Sequence, residues 1–195
     1  VLKYQWFQQQ NQDSLVHTVA ISYDNSHAVT AEKSTFAVWD IATGENSGYY
    51  KIHASTIRDI AISNQGQSVL YGRADGVVVY LNLETGRRIE FLGHQEKVNV
   101  VDLSPNGHFA ISGSNDYVAY FWDTRTGQVI HRFNHPTRVT QVALDPQGRY
   151  AFTADSMKQA NVWQLTTGDL VSKLAYIARQ KIFTAVRFND EGTLI

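Results

Sequence analysis

Serine, histidine and aspartate side chains within one short stretch could form a hydrolytic site. His94, Ser112 and Asp116 are the residue types of a catalytic triad, in which histidine takes the proton of a serine nucleophile and a carboxylate orients the histidine. Trp122 follows, and its indole N–H can only donate a hydrogen bond, whereas serine and histidine donate and accept and aspartate accepts. A tryptophan in this chain of hydrogen bonds would hold the serine hydroxyl inside the protein, so we favour a structural role.

Other chemistries find little support in the residue types and their spacing. The chain has no cysteine, which excludes thiolate metal sites and cysteine nucleophiles. Among the seven histidines, His53, His94 and His135 recur every 41 residues, and no pair has the close spacing of a zinc site. Asp190 and Glu191 are adjacent carboxylates, but they fall in a predicted surface turn. We therefore predict no catalytic residue, no metal and no cofactor.

Composition narrows the classes of partner. Seventeen basic and eighteen acidic residues give a formal net charge of −1, so no overall positive field draws the chain toward nucleic acid. The sequence is 43% hydrophobic, as in an ordinary globular protein. No apolar run approaches the roughly 18 residues that a membrane-spanning helix needs. We therefore expect no nucleic-acid partner and no membrane span in this chain.

The elements that would position these side chains are short β-strands. In residues 93–123, apolar residues recur with period two, and polar clusters rich in Gly, Asn, Asp and Pro separate the runs. This pattern predicts three half-buried strands with a turn at residues 104–107, and a fourth strand over residues 129–133.

The same pattern recurs along the chain at a fixed interval. One slot holds Trp39, Leu81, Trp122 and Trp163, at spacings of 42, 41 and 41 residues. Each of these residues precedes a Thr-Gly pair by a few positions; the pairs are Thr43-Gly44, Thr85-Gly86, Thr126-Gly127 and Thr167-Gly168. A period of this length is the signature of a repeat architecture.

The repeats resemble those of the WD-repeat family of β-propellers. The resemblance is carried by Gly93-His94, Trp39-Asp40 and Trp122-Asp123, and it covers nearly all of the sequence. It implies an all-β fold, a β-propeller of four-stranded antiparallel WD-repeat blades with between four and five blades present, as a partial or partner-completed ring. Degenerate copies and regular repeat lengths are similar to those of bacterial members of the family.

The resemblance also implies a role for the triad-like residues. His94, Ser112, Asp116 and Trp122 hold the slots of the structural hydrogen-bond tetrad that well-preserved blades of the family share. The other copies depart from this pattern. The second has a tyrosine and a leucine in the serine and tryptophan slots, and the fourth has Met157 in the aspartate slot, with Asp155 two residues early. We therefore expect an incomplete network in those copies.

Strand patterns at the two ends of the sequence indicate whether the ring of blades is complete. Residues 2–7 suggest a strand ahead of the first copy, and a last inner-strand pattern at residues 183–188 stops before its second strand. We interpret residues 1–195 as a single WD-repeat propeller domain truncated at its C-terminus. A ring closed by two chains, or five blades closed by strand exchange, is the alternative. Open blade edges would favour self-association.

A binding surface is implied at the rim where the inner strands begin. The residues flanking the first apolar position of each inner strand would face this rim, and they include His17, Arg58, Lys97, Asn99, Arg138 and Thr140. Arg58, Lys97 and Arg138 come from three consecutive copies and would line one arc of the ring. Arginine offers a planar fork for carboxylate or phosphate groups, so this arc could bind an acidic peptide, a phosphorylated segment or a small anion.

The function that this reading favours is a non-catalytic protein-protein interaction scaffold. The alternative is a propeller enzyme, or a receptor for a small ligand or anion, that uses the central channel. Acidic or histidine residues at the same position of successive inner strands would favour that alternative. One such position holds Ala20, Ala61, Asp102, Ala143 and Arg187, which is not a cluster of that kind. Some bacterial members of the family are exported or lipid-anchored, so cytoplasm and bacterial envelope both stay open.

Overall fold

Four antiparallel sheets of four strands each make up the described part of the chain. The computed structural model describes residues 15–174, 186–189 and 191–194. Each sheet is formed by four strands that follow one another in sequence and pair with their neighbours in the same order. We call the sheets blades 1 to 4. The all-β, four-stranded blade prediction is confirmed.

Strand boundaries follow the predicted alternation closely. Blade 1 contains β1 (Thr18–Ile21), β2 (His27–Ala31), β3 (Thr35–Asp40) and β4 (Asn46–Lys51). Blade 2 contains β5 (Ile57–Ile62), β6 (Ser68–Arg73), β7 (Val78–Asn82) and β8 (Arg88–Phe91). Blade 3 contains β9 (Val98–Leu103), β10 (Phe109–Ser114), β11 (Val118–Asp123) and β12 (Val129–Asn134). Blade 4 contains β13 (Val139–Leu144), β14 (Tyr150–Asp155), β15 (Ala160–Gln164) and β16 (Leu170–Leu174). A 3-10 turn at Asn64–Gly66 joins β5 to β6.

The Thr-Gly pairs form the turns between the third and fourth strands. In blade 3 the Asp123 carboxylate accepts a hydrogen bond from the Thr126 amide, and Gly127 adopts a φ of 76°. In blade 1 the Asp40 carboxylate accepts from the Thr43 amide in the same way. A residue with positive φ is needed at the end of this turn, which glycine adopts without steric strain. The aspartates after Trp39 and Trp122 therefore shape these turns.

The hydrophobic core lies mainly between neighbouring blades. One cluster joins residues of blade 1 such as Val29 to residues of blade 2 such as Ile60, and further clusters join blades 2 and 3 and blades 3 and 4. The first strands contact one another in order, β1 with β5, β5 with β9 and β9 with β13. Each blade thus buries its apolar face against the next blade, and the first strands lie innermost.

A fifth copy begins after the fourth blade. Phe188 and Leu194 form an antiparallel bridge, and Phe188 packs against Phe152 and Ala154 of β14. The strand predicted at residues 2–7 and residues 183–185 of the last inner-strand pattern lie outside the described residues. Among the described residues, no helix has the length and apolar character needed to cross a membrane.

Candidate functional site

The four triad-like residues of blade 3 form one chain of hydrogen bonds. Trp122 Nε1 donates to Ser112 Oγ at 2.8 Å, and Ser112 Oγ lies 2.8 Å from His94 Nε2. His94 Nδ1 in turn donates to the Asp116 carboxylate at 2.9 Å. Ser112 is fully buried, with a relative exposure of 0%, so its hydroxyl faces Trp122 and His94 inside the blade. A substrate therefore has no access to this hydroxyl.

Local structure explains why Asp116 is held in its ionised form. Burial opposes ionisation, but the hydrogen bond from His94 and the backbone amides of Gln95 and Val118 outweigh it, so the pKa of Asp116 is lowered. The carboxylate closes the turn between β10 and β11 and fixes the orientation of the histidine ring. Its contacts are those of a structural anchor.

Blade 4 builds most of the same network with a displaced carboxylate. Trp163 Nε1 donates to Thr153 Oγ1 at 2.7 Å, and Thr153 Oγ1 lies 2.7 Å from His135 Nε2. Asp155 approaches His135 Nδ1 at 3.5 Å, which is longer than a normal hydrogen bond, whereas Met157 is 73% exposed. Burial lowers the pKa of His135. Asp155 thus faces the histidine ring, but neither His135 Nδ1 nor Asp155 Oδ2 has a hydrogen-bond partner among the described residues, so the network of blade 4 is incomplete, as predicted.

Blade 2 has replaced the network by an ion-pair cluster. The buried Arg73 side chain pairs with Asp75 and lies 3.6 Å from the Glu90 carboxylate. Tyr71 stands in the serine slot, buried at 3% exposure. His53, in the histidine slot, is exposed.

A central channel runs between the inner strands. Its cavity measures ≈ 580 Å³ and is lined by residues of β1, β5, β9 and β13 and by Val186 and Arg187 of the fifth copy. Of the predicted rim residues, His17, Arg58 and Asn99 line this cavity. The arrangement makes Arg58 an exposed cation at the channel.

The remaining rim residues form a second set. Lys97 and Arg138 each precede an inner strand, and their backbone carbonyls accept from the amides of Asn115 and Ser156. Neither these two cations nor Thr140 lies among the residues that line the channel cavity. Lys97 and Arg138 therefore occupy equivalent places in successive blades, whereas Arg58 occupies a different one.

Two rim side chains join neighbouring blades. His17 Nε2 donates to the Ile57 carbonyl of blade 2 at 2.8 Å, and Asn99 Nδ2 donates to the Val139 carbonyl of blade 4 at 2.8 Å. Because both ring and amide groups are used in these contacts, the exposed arginines are the better candidates for contact with a partner.

Two channel carboxylates make the same kind of junction deeper in the channel. Asp59 accepts from the Val101 amide at 2.9 Å and from the Thr18 hydroxyl at 3.0 Å. Asp102 accepts from the Leu144 amide at 2.7 Å. These side chains bind the backbone of the following blade, where no strand-to-strand ladder exists.

The channel environment perturbs both carboxylates. Burial raises the pKa of Asp59. Burial also raises the pKa of Asp102 to about 6, against the hydrogen bonds from the Leu144 and Leu103 amides, and the neighbouring Asp59 adds to the rise. Near neutral pH Asp102 is therefore mostly ionised, and its negative charge in the channel disfavours the entry of further negative charge.

Comparison with known protein families gave a match that covers the third repeat. The family model described as WD domain, G-beta repeat matches residues 86–123, which contain β8 to β11 and the whole tetrad. This match and the four-stranded antiparallel sheets fit a propeller of the WD-repeat family. A search of curated proteins gave no match.

The sequence pattern did not predict that Asp59 and Asp102 both line the channel. Asp102 is equivalent by the repeat period to Ala61, and Asp59 lies two residues before Ala61. A comparison of equivalent positions therefore does not pair the two carboxylates. A lone carboxylate among apolar inner-strand residues was the available signal, because a buried charge needs partners. Within the described ranges, no group of three histidine, aspartate or glutamate side chains could hold a metal ion.

Proposed function

We propose that this WD-repeat chain is a non-catalytic platform that binds a protein or peptide segment with acidic residues at the Arg58 end of its channel. WD-repeat domains generally bind proteins or peptides and act as scaffolds. The supporting observation is the state of Arg58, which is exposed, lines the channel and makes no hydrogen bond or ion pair within the described part of the chain. An arginine fork without a partner is suited to a carboxylate.

A non-catalytic role fits the surroundings of the reactive residue types. In blade 3 the serine hydroxyl is enclosed and bonded to Trp122 as well as to His94. An activated nucleophile must face a substrate and an oxyanion hole. We propose that the four tetrad residues stabilise the blade and take no part in a reaction.

Charge reversal tests the proposed surface. We expect that Arg58→Glu combined with Arg138→Glu lowers the affinity for a glutamate-rich peptide at least about tenfold, because the contact with Arg58 becomes repulsive and the exposed Arg138, next to β13, adds a second negative charge to the rim. Binding is measured by fluorescence anisotropy on a peptide panel that contains acidic and neutral sequences. Arg132→Glu, on the outer strand β12, is the matched control. Equal affinity of the double variant and the wild type would contradict the proposal.

The channel itself is the second candidate site. Its ≈ 580 Å³ cavity is of ligand size, and Arg58 and Arg187 line it. Asp59 and Asp102 oppose a small anion, so we place the channel second. Titration with inorganic phosphate distinguishes the two: saturable binding that Arg58→Glu removes, without any peptide binding, would favour the receptor.

A further inference from the structure

Leu81, in the tryptophan slot of blade 2, leaves open a space that a tryptophan fills at the equivalent place in blades 3 and 4. In blade 3, Trp122 packs on Phe91 of blade 2 with ring centroids 4.7 Å apart. In blade 4, Trp163 packs on Phe133 of blade 3 with centroids 4.5 Å apart. Each tryptophan thus stacks on an aromatic ring from the last strand of the preceding blade. This stacking closes the outer part of the interface between the blades.

Between blades 1 and 2, Tyr50 of β4 is the aromatic residue of the last strand, but Leu81 stands in the place of the tryptophan. Tyr50 pairs with Phe36 across β3 and β4, as Phe91 and Phe133 pair with residues in their own blades. With Leu81 opposite, the Tyr50 ring stacks instead on Phe36 of its own blade, at 4.7 Å and an interplanar angle of 14°. Leucine is too small to cover the surface that an indole covers in the next two blades.

A cavity of ≈ 610 Å³ lies at this place, and we call it the blade 1–2 cleft. Its apolar walls include Phe36, Tyr50, Tyr71 and Leu81. Phe36 and Tyr71 are nearly fully buried, at 1% and 3% exposure, so the cleft reaches the interface core. Ligand sites typically measure about 300 to 1,000 Å³ and are lined mainly by apolar and aromatic side chains.

Apart from three tyrosines, the polar residues that line the cleft are all of basic type. They are Lys51, His53 and Arg88, and no aspartate or glutamate lines the cavity. Arg88 pairs with Glu90 at 2.5 Å, whereas Lys51 makes no ion pair among the residues described. An exposed lysine beside aromatic walls favours a ligand that combines an apolar ring with negative charge.

We propose that the blade 1–2 cleft binds a peptide segment in which an aromatic side chain, best a tryptophan, lies beside a carboxylate. The aromatic ring occupies the place opposite Tyr50 that Trp122 and Trp163 fill in the following blades. The carboxylate faces Lys51. This site is separate from the channel end around Arg58 and uses none of the residues in the proposed acidic-peptide surface.

The test uses short peptides and the whole chain. The probe is acetyl-Glu-Trp-Glu-amide, with acetyl-Glu-Ala-Glu-amide and acetyl-Gln-Trp-Gln-amide as comparisons for the ring and the charge. Binding is measured by isothermal titration calorimetry, and its location by amide shifts in NMR spectra. We expect the first peptide to bind the wild type, both comparison peptides to bind more weakly, and the shifts to lie at Tyr50, Ile52 and Leu81.

Two substitutions decide whether the cleft is the site. Leu81→Trp fills it with the chain's own indole and is expected to weaken probe binding at least about tenfold, which is about 1.4 kcal/mol. Lys51→Glu, an exposed change that keeps the fold, is expected to weaken it several-fold. Lys173→Glu on the outer strand β16 is the matched control, and Arg58→Glu with Arg138→Glu is expected to leave the binding intact.

The outcomes separate this inference from the proposed function. Loss of probe binding in Leu81→Trp and Lys51→Glu supports the cleft, whatever happens at Arg58. Absence of binding to the folded wild type, or unchanged affinity in Lys51→Glu, overturns it. Loss in the Arg58 and Arg138 double variant alone assigns the probe to the channel end and also overturns it.

Discussion

Individual side chains, more than strand pairing, hold neighbouring blades together around the channel. Asp59 and Asp102 lie on adjacent inner strands and accept backbone amides of the next blade. Burial of a carboxylate lowers the stability of the folded state unless hydrogen bonds compensate for the lost hydration. The compensation at Asp102 is incomplete, because burial and the charge of Asp59 still raise its pKa to about 6.

The titration of Asp102 gives a pH-dependent stability. An aspartate in an unfolded chain has a pKa of about 4, so between pH 4 and pH 6 the folded state holds more protons than the unfolded state. The contribution of Asp102 to the free energy of unfolding therefore falls as pH rises through this window, by up to about 3 kcal/mol. Asp102→Asn does not titrate, so its stability relative to the wild type should rise by a similar amount from pH 4 to pH 7.

Urea denaturation at several pH values measures this difference. Asp169→Asn, in an exposed turn, serves as the control and should follow the wild type. A stability difference between Asp102→Asn and the wild type that is constant from pH 4 to pH 7 would show that the carboxylate does not titrate in this window.

At the scale of strands, glycines of two second strands lie close against the following blade. A methyl group added at Gly113 of β10 would lie 2.5 Å from Val139 Cγ1 of blade 4, and one at Gly72 of β6 would lie 2.4 Å from Val98 Cγ1. Real atoms do not approach this closely without movement. The glycines therefore let the first residue of the following inner strand pack directly against the preceding sheet.

Substitution of Gly113 tests this contact. We expect Gly113→Ala to lower the free energy of unfolding by about 1 to 3 kcal/mol, because overpacking forces a shift of Val139 or of the strand. Val139→Ala removes the opposing methyl groups, so the double variant should lose less than the sum of the two single losses. Thermal and urea unfolding of the four proteins measure the coupling, and strictly additive losses would contradict the contact.

The strands and turns that depend on residues of a single repeat could be predicted from the sequence, whereas features that depend on the path of a turn or on residues of two repeats could not. The alternating strands and the Thr-Gly turns were predictable, since the pattern and the positive φ at Gly127 arise within one repeat. The approach of Asp155 to His135 was not, because it depends on the path of the turn after β14. The blade 1–2 cleft depends on Leu81 of one repeat and Tyr50 of another, so no single repeat shows it.

At the scale of the whole molecule, one tyrosine connects the first and fourth blades. Tyr23 follows β1, and its hydroxyl donates to the Leu144 carbonyl of β13 at 3.1 Å. The Arg187 guanidinium of the fifth copy lies 4.6 Å from the centre of the Tyr23 ring. Burial raises the pKa of Tyr23, so the hydroxyl stays a donor. The hydrogen bond thus links the inner strands of blades 1 and 4 directly.

Removal of this hydroxyl should loosen both ends of the array. Tyr23→Phe keeps the ring but leaves the Leu144 carbonyl without this donor, and we expect a loss of about 1 to 2 kcal/mol. Amide hydrogen exchange should quicken in β1 and β13 more than in β9. Tyr117→Phe, an exposed tyrosine, is the comparison, and unchanged exchange in β1 would show that the contact carries no stability.

The junctions between blades also limit how this protein can be rearranged. Blade 1 reaches blade 2 through His17, blade 2 reaches blade 3 through Asp59, and blade 3 reaches blade 4 through Asn99 and Asp102. Each junction has its own donor or acceptor, although the backbone geometry repeats. The partner in each of these bonds is a backbone amide or carbonyl that every repeat has. Shuffling or duplicating repeats would therefore change which side chain crosses each boundary, even where the length of each unit is preserved.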